Sequence, residues 1–308
     1  MACFFPLKGA ISKPHLLNPK TGKPFVFILK RDLIPVSFDA IDLPCGRCIG
    51  CRLDRSRQWA IRCLHEASLY ERNCFITLTY NDENLPEDGS LHYDHFQKFM
   101  KRLRKAVGTR VRFYMAGEYG EQLGRPHFHA CLFNYDFTDK VFFKRTGSGS
   151  NLYRSPKLES LWPYGYSSIG DVNFQSAAYV ARYIMKKVNG KHQDEHYERV
   201  NEDTGEITVR RPEFTKMSLK PGIGYDWYKQ WKDDVYPDDF VVVNGKKVRP
   251  PRFYDKKFKV DHPEDFEVIE FQRECRVRER FEDNTDERLA VKEKVAQARL
   301  RSLKRTLT

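Results

Sequence analysis

Three sets of side chains in this 308-residue chain have types and spacings that can do chemistry. The first is His127-Phe128-His129 in the stretch Gly124-Arg125-Pro126-His127-Phe128-His129-Ala130-Cys131-Leu132-Phe133. Side chains alternate along a strand, so both imidazoles project to one face while Phe128 turns into a core. Imidazole is the commonest protein ligand for metal ions, and a pair on a rigid strand can hold one without rearranging. Glu118, upstream of the turn that leads into this strand, is the expected third ligand, with Glu121 as the fallback. The second set is Tyr179-Val180-Ala181-Arg182-Tyr183-Ile184-Met185-Lys186-Lys187. Tyr179 and Tyr183 stand one helical turn apart on one face, and Lys186 or Lys187 shares it. A free phenol, with a pKa of about 10, is a poor nucleophile at neutral pH. A neighbouring ammonium favours the phenolate and can neutralise a phosphate in a transition state. The third set is Cys45-x-x-Cys48-x-x-Cys51, in which three thiolates can fold round one Zn²⁺ whose tetrahedral preference asks for a fourth ligand. Cys3 is the first candidate, and Cys63 and His65 are substitutes. An iron–sulfur cluster and unligated buried thiols are the competing readings of the same cysteines.

The elements that must position these groups can be read around them. The histidine strand is expected to pair as a hairpin with a strand over 111–117, which puts Glu118 at the hairpin mouth. Residues 74–80 (Cys-Phe-Ile-Thr-Leu-Thr-Tyr) form a β-rich run ended by turn residues. Apolar residues at helical spacing predict a basic helix over 53–70 and another over 94–107, with Asp94 as N-cap and Phe96, Phe99, Met100, Leu103 and Val107 as its stripe. Residues 141–150 read as a loop, 156–162 as a short helix and 166–172 as a strand. The tyrosine helix is expected over 175–188, with Asp171 or Asn173 near its start. Residues 1–44 are broken by prolines, with one short strand at 25–29. Beyond 189 the chain is polar and charged. Residues 192–211 read as an exposed hairpin or an unstructured insertion, Asn244-Gly245 marks a hairpin, and a charge-dense helical tail runs from 263.

Composition narrows the partners. Lys plus Arg exceed Asp plus Glu by 54 to 42, a net charge of +12, and aromatics reach 14%, a pairing that suits nucleic acid. No apolar run approaches the roughly 18 residues of a membrane span, and the apolar patch in residues 1–10 is too short for a signal peptide, so a cytoplasmic setting and reduced cysteines are expected.

The order of the Phe75-Ile76-Thr77-Leu78-Thr79-Tyr80 strand, the His127-Phe128-His129 strand and the Tyr179-x-x-x-Tyr183-x-x-Lys186 helix resembles the three motifs of the HUH endonucleases that initiate rolling-circle replication. The likeness is greatest to the replication initiators of gokushovirus-type microviruses, single-stranded-DNA bacteriophages. It includes Pro44-Cys45-Gly46-x-Cys48-x-x-Cys51-Arg52, the Gly117-Glu118-Tyr119-Gly120 turn and Lys220-Pro221-Gly222-Ile223-Gly224, and covers roughly residues 1–232. The resemblance implies an α+β fold with a central antiparallel sheet. It implies an enzyme that nicks one strand at an origin, with Mg²⁺ or Mn²⁺ on His127, His129 and a third polar ligand. Tyrosine attack would leave a 5′-phosphotyrosine and a 3′-hydroxyl that primes a host polymerase, the second tyrosine accepting the strand when the circle is complete. Because no G-x-x-x-x-G-K-[ST] loop occurs, a helicase is expected from the host. Three domains are expected: a Cys-rich segment and helix at 1–72, an endonuclease core at 73–190, and an extension at 191–308. A relaxase or transposase of the same superfamily is one alternative. A non-catalytic zinc-dependent DNA-binding protein, in which both tyrosines merely pack, is the other.

Overall fold

The computed structural model describes residues 3–13, 15–22, 24–29, 34–120, 123–147, 149–182, 196–200 and 205–302. The chain divides into two compact units, one of Met1–Arg55 with Phe271–Leu303 and one built on Ser56–Glu270. The first unit holds β1 (Leu7–Ser12), β2 (Val26–Ile28) and β3 (Phe38–Leu43), an antiparallel sheet in the order β2-β1-β3. The helix α1 (Ile49–Ala67) begins inside the cysteine motif, earlier than its apolar spacing predicts, and continues into the second unit.

The second unit is organised by a seven-stranded antiparallel sheet. In chain order come β4 (Asn73–Tyr80), α2 (Tyr93–Val107), β5 (Arg112–Tyr119), β6 (Pro126–Phe133), β7 (Val141–Arg145), β8 (Asn151–Arg154), α3 (Pro156–Leu161), β9 (Gly165–Gly170) and α4 (Phe174–Arg182). They are followed by the pair β10 (Glu198–Val200) and β11 (Ile207–Val209), and by β12 (Phe214–Met217). The sheet order is β12-β5-β6-β4-β9-β8-β7. Residues 141–145, expected as loop, are therefore its edge strand. Val-Phe-Phe-Lys-Arg is exposed along its whole length, so the alternation that marks a half-buried strand is missing. After β12 come α5 (Tyr225–Val235), the hairpin β13 (Val241–Val243) and β14 (Lys246–Val248), α6 (Arg252–Asp261), α7 (Pro263–Arg278) and α8 (Asp286–Ser302). Asn244 and Gly245 both have positive φ, 50° and 72°, as a two-residue hairpin turn of the expected type needs.

The two faces of the large sheet carry different cores. On one, Ile76, Leu78, Met115, Phe128, Ala130 and Ile169 pack against Phe96, Phe99, Met100 and Leu103 of α2. All of these side chains are at least nine-tenths buried, and each of the larger ones contributes about 1.5–3 kcal/mol. Asp94 is not the N-cap of α2; it lies in the first turn, bonded to Lys98 at 3.0 Å, while His92 occupies the cap position. At the other end Gly108, φ 65°, closes α2 by donating its N–H to the Arg104 carbonyl. On the opposite face Phe75, Tyr114, Ala116, Cys131 and Phe133 meet Ala60 and Cys63 of α1 and Ala177, Val180 and Ala181 of α4.

A buried ion pair pins α1 to this sheet. Arg112 of β5 (3% exposed) donates to Glu66 of α1 (0% exposed), whose other oxygen accepts the Gly224 N–H at 2.7 Å. Arg112 also donates to the Pro221 carbonyl at 2.9 Å, and Arg62 donates to that of Ile223 at 2.9 Å. The Lys220-Pro221-Gly222-Ile223-Gly224 segment is thus held by charged side chains from α1 and β5, ahead of α5. Among the described residues no helix is long and apolar enough to cross a membrane.

Candidate active site

Register builds the first site. Glu118 of β5 pairs with His127 of β6, and His127 pairs with Thr79 of β4; one row along, Ala116, His129 and Thr77 pair in the same way. Cross-strand partners share a face, so Glu118, His127, His129 and Thr77 all project toward the side covered by α1 and α4. Glu118 does not sit at a loop mouth, as the hairpin reading has it. β5 runs two residues further than the apolar run suggests, and the carboxylate is inside the sheet and 2% exposed. Its Oε1 lies 2.6 Å from His127 Nε2 and 2.9 Å from His129 Nε2. Glu121 lies outside the described residues.

The far sides of both rings are fixed. His127 Nδ1 is 3.0 Å from the Arg125 carbonyl, which can only accept, so Nδ1 carries the proton and Nε2 faces Glu118. His129, fully buried, has Nδ1 3.0 Å from Thr77 Oγ1. With Nδ1 as donor on both rings, two Nε2 lone pairs and a carboxylate oxygen converge, an arrangement that is repulsive unless a cation lies among them. The three ligand atoms lie within 4.8 Å of one another, and this donor set fits a divalent metal. Burial pushes the Glu118 carboxyl up, but the hydrogen bonds from His127 and His129 outweigh it and bring it down to about 2. Glu118 is therefore a carboxylate at any working pH. Thr77 is the residue that sequence reasoning did not single out. Its signal is parity, since Thr77 and Thr79 alternate with the apolar Ile76 and Leu78, but only the β4–β6 register says that Thr77 stands opposite His129.

The tyrosine helix arrives over these ligands. Asn173 caps α4, its Oδ1 accepting the Ser176 N–H at 2.8 Å while Ser176 Oγ accepts the Asn173 N–H at 2.9 Å, a reciprocal box that fixes where the helix starts. Ser56 Oγ donates to the Ala178 carbonyl at 3.2 Å, tying α1 to the helix. Ala177, Val180 and Ala181 face the sheet, and Tyr179, half-buried, sets its ring edge-on to the His129 imidazole, with centroids 5.2 Å apart at 85°. The structure therefore brings Tyr179 to the histidine pair. Tyr183, Lys186 and Lys187 lie outside the described residues.

The four cysteines near the N-terminus come together in the first unit. Cys3, Cys45, Cys48 and Cys51 offer sulfurs within 4.8 Å of one another. Cys48 Sγ is 3.9 Å from Cys3 Sγ, close to the sulfur–sulfur edge of about 3.8 Å that a tetrahedron with Zn–S bonds of about 2.3 Å requires. Backbone N–H groups point at the sulfurs. Cys45 donates to Cys3 Sγ and Cys48 to Cys45 Sγ, each at 3.3 Å, while Phe4 and Cys51 donate to Cys48 Sγ at 3.4 and 3.5 Å. Burial raises the Cys48 thiol, but these donors bring it down to about 7. Burial and the neighbouring thiols push Cys51 up, and burial likewise raises Cys3. Such a cluster holds one thiolate easily and four only around a cation. Cys63 and His65, the substitute fourth ligands, have partners in the second unit instead. Cys63 is fully buried and hydrogen-bonds Cys131, while His65 Nδ1 is 3.0 Å from the Tyr254 hydroxyl.

A family model for the replication-associated protein ORF2 matches residues 73–188, the span that holds Glu118, the histidine pair and Tyr179. The replication-associated protein VP4 of Bdellovibrio phage phiMH2K is 32% identical over 274 residues, which cover 86% of this chain and 79% of the relative. The replication-associated protein ORF2 of Spiroplasma virus 4 is 30% identical over 237 residues, covering 73% of this chain and 70% of its own length. The replication-associated protein ORF4 of Chlamydia phage 1 is 31% identical over 221 residues, covering 69% and 52%. No solved structure matches the chain.

Proposed function

The chain belongs to the family of replication-associated proteins of gokushovirus-type microviruses, and from this membership we propose that it initiates phage DNA replication as a metal-dependent, strand-transferring endonuclease of the HUH kind. The observation that carries this reading is the Tyr179 ring set against His129, a ligand of the Glu118, His127 and His129 cluster. A packing tyrosine has no reason to be placed there by a capped helix, whereas a nucleophile does.

In the proposed reaction the Tyr179 phenol oxygen attacks a phosphorus of single-stranded origin DNA. The O–P bond to tyrosine forms, the P–O3′ bond breaks, and the phenolic proton passes to solvent as the 3′-oxygen takes one up. The products are a 5′-phosphotyrosine and a 3′-hydroxyl that a host polymerase extends, with a host helicase opening the duplex. Bound Mg²⁺ or Mn²⁺ would withdraw charge from the scissile phosphate. Glu118, His127 and His129 would hold that metal, Thr77 and the Arg125 carbonyl keep both Nε2 atoms aimed at it, and α4 presents the nucleophile. Tyr183, one turn on, would serve the rejoining step, with Lys186 or Lys187 steadying its phenolate. The four cysteines would hold a structural Zn²⁺, and the reaction would take place in the host cytoplasm.

The test is to incubate the protein with single-stranded DNA carrying the phage origin and Mn²⁺ and to map the covalent product. An adduct is expected on Tyr179 or Tyr183, reduced in each single phenylalanine variant and absent from the double one. An adduct on another residue, or one surviving in the double variant, refutes the assignment.

A further inference from the structure

The row of residues that holds the metal ligands does not stop at β4. Tyr166 of β9 stands opposite Thr79, as Thr79 stands opposite His127 and His127 opposite Glu118. Its side chain therefore leaves the sheet on the histidine face, two strand spacings or about 10 Å from the His127 backbone. α4 lies over β5 and β6, and Tyr166 is 59% exposed. The backbone beneath that ring is tightly fixed. A Cβ on Gly165 (φ 148°) would lie 2.2 Å from the Asn81 nitrogen and 2.6 Å from the Thr79 oxygen, so β9 begins pressed against the end of β4, and the Asn81 N–H donates to the Tyr164 carbonyl at 3.0 Å. An aromatic ring is thus exposed on a backbone that cannot shift.

Cations follow on the same face, farther from the ligands. Tyr153 pairs with Ile169, which belongs to the opposite core, so Arg154 and Leu152 on either side of it project to the histidine face. Lys144 of the edge strand pairs with Leu152 and shares that face. Arg154 is partly exposed in its ion pair with Glu159 at 2.7 Å, and Lys144 lies 5.8 Å from the centroid of the exposed Phe143 ring. An exposed ring followed by cations, on a protein of net charge +12, matches the alternation of base and phosphate in a single strand of nucleic acid.

We propose that the open half of the histidine face is the seat of the single-stranded DNA next to the cut, with Tyr166 stacking on a base close to the scissile phosphate and Lys144 and Arg154 receiving the following phosphates. The location rests on the nicking reading, but the binding does not need cleavage. Affinity for a short fluorescent oligothymidylate is measured without added divalent metal for the wild type, Tyr166→Ala, Tyr166→Phe and the double variant Lys144→Ala/Arg154→Ala. Tyr166→Ala should bind about 5- to 100-fold more weakly and Tyr166→Phe within about threefold of wild type, because stacking needs the ring and not the hydroxyl. The double variant should lower the slope of log affinity against log salt by about 0.7 for each phosphate contact removed. Photocrosslinking of wild type to an oligonucleotide containing 5-iododeoxyuridine should map to the peptide carrying Tyr166, a readout that stands even if a variant folds poorly. Unchanged binding by a folded Tyr166→Ala protein, or crosslinks found only away from β9, overturns the proposal. A protein that binds through Tyr166 yet forms no phosphotyrosine overturns the nicking reading alone.

Discussion

Thr77→Val is the substitution that tests most sharply whether the histidine cluster is organised for metal. Valine keeps the volume and branching of threonine but removes the hydroxyl that lies 3.0 Å from His129 Nδ1, on a ring with no exposed surface. In the wild type the Nδ1 proton has an acceptor and Nε2 turns its lone pair toward the site. In the variant the imidazole must either leave its buried N–H without that acceptor, at a cost of about 1–3 kcal/mol, or move its proton to Nε2 and donate to Glu118, 2.9 Å away. The second choice avoids that cost but puts the proton where the metal belongs, so metal binding has to reverse it. The expected loss is about 10- to 100-fold in metal affinity, the range found when a partner behind a ligating histidine is removed, or about 1.4–2.7 kcal/mol. Calorimetric titration of Mn²⁺ into the wild type, Thr77→Val and Thr77→Ser measures it. Serine retains the hydroxyl and should bind within a few-fold of wild type. A valine variant that binds Mn²⁺ as well as wild type, or a serine variant as weak as valine, would refute the idea that Thr77 orients His129.

Further outcomes are expected elsewhere. Protein purified without chelators should carry about one tightly held zinc per chain, lost on replacing Cys3, Cys45, Cys48 or Cys51 by serine; metal analysis that finds iron, or no metal, excludes the zinc assignment. Replacing Glu66 by glutamine leaves Arg112 buried beside a neutral partner and should destabilise the protein by about 3–5 kcal/mol in urea denaturation; an unchanged midpoint would show that the pair contributes nothing. Metal-free protein should lose stability as the pH falls from the ordinary carboxyl value of 4.5 through about 2, because Glu118 is depressed in the folded state and must be protonated. Glu118→Gln should flatten that part of the acid-unfolding curve, and an identical curve would mean that the carboxylate is not held by its imidazoles.

Strand parity accounts for most of what the sequence made legible. Alternation alone places His127 and His129 on one face and Phe128 in the opposite core, which is where they lie. Counting thiols brings Cys3 to the other three because tetrahedral ligation asks for a fourth. What stayed hidden depends on register, which is a relation between strands rather than a property of either one. Thr77 reads as an ordinary strand former until β4 is aligned with β6, and Glu118 reads as a turn residue because the glycine before it hides the last two positions of β5. β12, four residues long, carries too little pattern to be recognised, yet it closes the sheet edge beside β5. The edge strand β7 escaped for the opposite reason: it has apolar residues but buries none of them.

Because every ligand of the histidine site comes from the interior of a strand, the same pairing that fills the core also assembles the site. A slip of one residue between β5 and β6 or between β6 and β4 would turn His127 and His129 away from Glu118 and at the same time drive Phe128 and Ala130 out of the opposite core. No misfolded sheet can keep part of the cluster. Metal binding is therefore a folding gauge for this protein: a damaged preparation should contain fewer competent sites of unaltered affinity, and the fraction of chains that take up Mn²⁺ should equal the fraction with native sheet order.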